Sequence, residues 1–154
     1  MPSAPPLTHP DLSSGAAIES PELSEVVRQL LARIRRSLQH AMEQRDLNLS
    51  VQAAHVIILT HATQLKTPMQ LACQSGYDKA VITRVVKQLL AEGLLNKHKN
   101  TQDKRSINLT LTAQGEAVHQ QLQQARLQAH QEVFAPLNAD ELLQVKTLLQ
   151  KCIQ

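Results

Sequence analysis

The chain has 154 residues, enough for one compact domain and too few for two of ordinary size. Hydrophobic residues make up 42%, but Tyr77 and Phe134 are the sole representatives of Phe, Tyr and Trp, so the core must be built from Leu, Val, Ile and Ala, which suits packed helices. The formal charge of +3 is mild, and no apolar run approaches the roughly 18 residues of a membrane-spanning helix.

Residues 1–20, "MPSAPPLTHPDLSSGAAIES", hold four of the seven prolines and little periodic apolar content, and read as a flexible tail. They lack the basic and apolar regions of a signal peptide. Ser20-Pro21 supplies an N-cap and a proline at the first helical position. From Leu23 through Ile34 to Met42, apolar residues recur at three and four, predicting a first helix to about Gln44. Ser50 caps a second helix, apolar nearly all round and therefore expected between other elements.

Thr67-Pro68-Met69-Gln70 is a capping box opening a short third helix, which Gly76 interrupts. A fourth helix runs from about Asp78 to Ala91 and stops at Gly93. "LLNKHKN" and "INLTL" read as two short strands. Thr112 caps a fifth helix to about Val133, closed by Pro136, and Asn138 starts a sixth. The expected class is mainly α with a small β-hairpin. The expected organisation is a tail (1–20) and one domain (21–154), with a helix-turn-helix core and hairpin at 50–111.

"LACQSGYDKAVITRVVKQL" carries the chemistry. Two helices crossing steeply need a small residue at the contact, a glycine at the turn and an apolar inner face on the second helix. Ala72, Gly76, Ile82 and Val85 meet these needs, and Val86 and Leu89 extend the stripe. At 100° per residue the opposite face carries Ala80, Thr83, Arg84 and Lys87, with Val81 and Gln88 at its flanks and Lys79 at its start. Such a mixture suits the major groove of DNA: Arg or Gln to base edges, Thr to base or phosphate, Ala or Val methyls to thymine. It also fits an ordinary solvated face on a helix hairpin. From Ser75 to Ser106 seven cationic residues stand against three acidic ones, a net +4, so all the chain's excess positive charge sits there. That favours a polyanionic partner.

Downstream, "ITRVVKQLLAEGLLNK", "DKRS" and "LTLTAQG", with "QLACQSG" before them, resemble the MarR family of bacterial winged helix-turn-helix regulators. The resemblance implies a winged helix-turn-helix with dimerisation helices at 21–44 and 112–153, and a homodimer on a pseudo-palindromic double-stranded operator. It implies that helix 78–91 enters the major groove. Arg105, at the wing tip, would enter the minor groove, where narrow width favours Arg, with Asp103 shaping the wing. Lys97, Lys99 and Lys104 would contact phosphates. Leu142, Leu143, Val145, Leu148, Leu149 and Ile153, with Val26, Leu30 and Ile34, are the expected dimer residues.

A repressor relieved by a small anionic or phenolic effector is the implied regulation. A pocket for it would draw on Ile34, Arg35, Leu38, His55, Ile58 and His61, with Arg36 as another cation, although the chain lacks aromatic residues to line it. Peroxide-sensing members use a cysteine in the first helix, and none stands there. Cys73, in the third helix, leaves a thiol-oxidation response open. A winged-helix module binding an acidic protein is the other alternative. No metal or cofactor is expected: His55 and His61 are on different faces of one helix, and no Cys-x-x-Cys or His-x-x-x-His occurs. No nucleophile–base arrangement, P-loop or dinucleotide motif suggests an enzyme. Two cysteines make no disulfide framework and fit a reducing, cytoplasmic setting.

Overall fold

A computed structural model describes residues 21–62, 67–100 and 106–153. The expected tail therefore lies outside the described residues, as do Ser20 and the hairpin-tip residues Asp103, Lys104 and Arg105. The elements run α1 (Pro21–Glu43), α2 (Val51–His61), α3 (Pro68–Ser75), α4 (Lys79–Ala91), β1 (Leu95–Lys99), β2 (Ile107–Leu111), α5 (Ala113–Phe134) and α6 (Ala139–Cys152).

The helix starts are fixed by side chains that satisfy otherwise orphaned backbone amides. Ser50 Oγ accepts from Ala53 N at 3.1 Å. Thr67 and Gln70 form a reciprocal capping box, and Asn138 and Glu141 form another. Thr112 Oγ1 accepts from Gly115 N at 2.9 Å and donates to the Gly93 carbonyl at 2.7 Å, pinning the foot of the hairpin to the start of α5.

Most of the core lies among α2, α3, α4, the hairpin and the first half of α5. Val56, Ile57, Leu71, Ile82, Leu89, Leu109 and Leu122 are its large, fully enclosed side chains, together with Met42 from the end of α1. α2 sits in the middle of this group, in contact with α1, α3, α4, α5 and β2, which explains its all-round apolar sequence. α1 and α5 pack along each other through small residues, Ala41 facing the side of the core that holds Ala125, with Ala129 and Val133 buried further along. Ser37 Oγ donates to Glu132 Oε2 at 2.7 Å, and Arg45 Nη1 donates to Gln128 Oε1 at 2.7 Å. These bonds join α1, and the turn that follows it, to α5.

α6 buries none of its residues. Leu143, Leu148, Leu149 and Ile153 are exposed, as are Leu23, Val26, Val27 and Leu31 of α1; Leu30, Leu142 and Val145 are half-buried. No described helix is long and apolar enough to cross a membrane.

Candidate nucleic-acid interface

The turn between α3 and α4 depends on Gly76, which caps α3 at φ 69° in the left-handed region. A Cβ there would meet nothing within 4 Å. Backbone conformation, and not space, is what calls for glycine. Two residues later Asp78 begins α4, whose Ile82, Val85, Val86 and Leu89 are buried as the stripe predicted.

The opposite face of α4 stands in solvent. Lys79, Ala80, Thr83, Arg84, Lys87 and Gln88 are all exposed. Val81 is half-buried and packs against the core, so its methyls are shared between the interior and any partner. Thr83 Oγ1 donates to the Lys79 carbonyl at 2.8 Å, and Gln88 Nε2 donates to Glu92 Oε1 at 2.9 Å. Both side chains are held along their own helix, leaving Arg84 and Lys87 as the long cationic groups in the middle of the face.

The hairpin is antiparallel, with Leu95 opposite Leu111, Lys97 opposite Leu109 and Lys99 opposite Ile107. The two-residue period of a strand puts Lys97 and Lys99 on the face that carries Leu95 and Leu109. That face thus changes from buried leucines at the foot to exposed lysines toward the tip. On the other face His98 Nε2 lies 2.9 Å from Thr110 Oγ1, and Asn100 Nδ2 donates to Asn108 Oδ1 at 3.2 Å. The tip residues assigned to the wing, Asp103, Lys104 and Arg105, are outside the described residues.

Behind this surface lies a cavity of about 420 Å³ between α1, α2, the α3–α4 turn and α5. Ile34, Arg35, Leu38, His55 and Ile58 line it, five of the six residues expected to share a pocket. His61 does not; it lies one helical stretch away, against α5. Tyr77 also lines the cavity, correcting the expectation that no aromatic would, and its ring meets that of His55 edge-on at 5.6 Å. Arg126 of α5 supplies a second cation beside Arg35. Burial holds the His55 imidazole below its ordinary value, and the Arg126 charge adds to this. Arg36 is directed to a separate surface depression with Arg33, Ser37, His40 and Glu132. The sequence does not announce Tyr77 and Arg126 as neighbours of His55, because only tertiary packing brings the α3–α4 turn and α5 to that part of α2.

A winged helix-turn-helix with its recognition-type helix exposed is the geometry against which known proteins can be compared. The MarR family model matches residues 49–107, from just before α2 to the first residue of β2. Over this stretch the chain resembles the MarR family. The multiple antibiotic resistance protein MarR of Salmonella typhimurium is 34% identical over 88 residues, covering 56% of this chain and 61% of that protein. Its Escherichia coli counterpart is 33% identical over the same shares. The aligned chain thus spans about three fifths of the length of these relatives.

Likeness in structure extends further. Wild-type E. coli MarR in its apo form matches with a TM-score of 0.76 at 26% identity, over 86% of this chain and 97% of that one. A mutant of the same protein complexed with operator DNA matches with a TM-score of 0.78 at 25% identity, over 86% and 94%. These matches reach beyond the helix-turn-helix to the flanking helices, so α1 and α5 belong to the MarR fold.

Proposed function

We propose that this protein is a dimeric, sequence-specific DNA-binding regulator of transcription acting in the cytoplasm, with α4 in the major groove and the hairpin beside it. The carrying observation is the face of α4: Arg84 and Lys87 stand exposed, backed by four buried apolar residues that fix the helix's rotation. The exposed lysines of β1 continue the same charge onto the wing. The operator-bound E. coli relative supports this reading by analogy. Lys79, Ala80, Val81, Thr83, Arg84, Lys87 and Gln88 are the proposed groove contacts. Lys97, Lys99 and Lys104 hold phosphates, and Arg105, oriented by Asp103, reads the minor groove.

A single wing domain covers few base pairs, so two copies on a pseudo-palindrome are required for useful specificity. The exposed apolar residues of α6 and of the start of α1 support that pairing. Regulation as a repressor relieved by a small anion is supported by the cavity flanked by Arg35 and Arg126. An anion seated there would act on DNA affinity through the α3–α4 turn, since Ser75 and Tyr77 form one wall.

Fluorescence anisotropy tests the reading, using a duplex from upstream of the protein's own gene, a scrambled control and a series of salt concentrations. Arg84→Ala and Arg105→Ala should each lose about 1–3 kcal/mol of preference for the true site, while Lys97→Ala should weaken both duplexes alike and reduce the salt slope by roughly one. Absence of binding to either duplex at low salt would sink the proposal and turn attention to an acidic protein partner. Sensitivity of binding to oxidant, lost in Cys73→Ser, would instead favour thiol control through the exposed Cys73.

A further inference from the structure

The last turn of α2 and the first two turns of α5 bring together a group that no single-helix spacing discloses. His61 Nδ1 lies 2.9 Å from Glu116 Oε2. The imidazoles of His61 and His119 are stacked, with ring centres 3.7 Å apart and planes 16° from parallel. One ligand-type atom from each of His61, Glu116 and His119 lies within 4.8 Å of the other two. We infer that these three residues form a binding site for a divalent transition metal of the zinc class, with two imidazole nitrogens, one carboxylate oxygen and a fourth position open to water.

The spacing argument is direct. Zinc sits about 2.0–2.2 Å from histidine nitrogen and carboxylate oxygen, so the ligand atoms of a tetrahedral site lie roughly 3.3 Å apart. The observed separations, 2.9 Å at the close pair and at most 4.8 Å overall, bracket that value. Small side-chain rotations would reach it, and His61 and Glu116 are both half-exposed and free to make them. His119 is the fixed member, buried at 5% exposure; the Gln123 amide nitrogen is 3.0 Å from its Nε2, and turning that amide over would let its oxygen accept the Nε2–H and leave Nδ1 for a metal. A metal-bound histidine is ordinarily oriented by such a neighbour.

The competing role, a salt bridge between His61 and Glu116, explains that pair but not the third ring stacked over it.

The test uses the full, tag-free chain with zinc alone, titrated against a chromophoric chelator, and with cobalt as a spectroscopic stand-in. One ion per chain is expected. Its affinity should be unchanged in the Cys73→Ser/Cys152→Ser double variant and weakened at least about tenfold in His61→Ala and in Glu116→Gln. His61 and Glu116 are half-exposed, so these two variants keep the test decisive even if His119→Ala fails to fold. The cobalt spectrum should show tetrahedral bands without a thiolate charge-transfer band. Absence of stoichiometric zinc binding, equal affinity in His61→Ala, or loss of binding in the cysteine variant would each overturn the site.

Discussion

Gly115 shows how one residue holds the wing to the helical body. It is buried in the first turn of α5, and a Cβ placed on it would lie 2.1 Å from the Leu94 carbonyl oxygen. That carbonyl accepts from Thr112 N at 3.1 Å, so neither side of the contact is free to withdraw. Gly115→Ala should therefore destabilise the fold by about 1–3 kcal/mol, the cost of overpacking a rigid site, measured by urea denaturation. His55 makes a second residue-scale prediction. Arg35 from α1, Tyr77 from the α3–α4 turn and Arg126 from α5 face the cavity it lines, and burial lowers its folded value. The unfolded chain then takes up the proton first as pH falls, so this contribution to stability is complete above about pH 6.5 and is lost progressively on acidification below it. Unfolding midpoints between about pH 7 and pH 5 should fall less steeply in His55→Gln than in the wild type; identical slopes would contradict the assignment.

At the scale of elements, the helix starts were legible because each is written in three or four adjacent residues. Ser50, Thr67–Gln70, Thr112 and Asn138–Glu141 cap as their residue types require. The inner stripe of α4 was equally legible, since period and composition agree there. The cavity was legible only in part: Ile34, Arg35, Leu38, His55 and Ile58 share it, whereas Tyr77 and Arg126 arrive from elements whose local signals concern other contacts. His61 stands outside that cavity and against α5, because the packing of α2 on α5 is tertiary and no spacing within one helix encodes it. The same blindness hid its meeting with Glu116 and His119. α6 gives the testable case. None of its residues is fully buried within the chain, and Leu148 and Leu149 are 61% and 47% exposed. Replacing both with Glu should convert a dimer into monomers in sedimentation velocity and leave the helical circular dichroism of the chain largely intact. An unchanged dimer would move the interface elsewhere.

For the whole molecule, the excess positive charge and the buried core are partitioned in a useful way. α1 and α5 run side by side and carry the helix-turn-helix and wing at one end, with exposed apolar residues on α6 and the start of α1. The cavity flanked by Arg35 and Arg126 and the His61–Glu116–His119 cluster both span α2 and α5. A ligand at either position would bear on how α2 sits against α5; in the proposed dimer that packing would set the distance between the two recognition helices. Selection from a pool of randomised duplexes, with the wild type at moderate salt, decides whether this chain reads DNA sequence as a dimer. Enrichment of a pseudo-palindrome whose half-sites are separated by about one helical turn, ~10 base pairs, is expected, with loss of that enrichment in Arg84→Ala. A pool that stays random after repeated rounds, or an enriched motif that Arg84→Ala leaves unchanged, would contradict it.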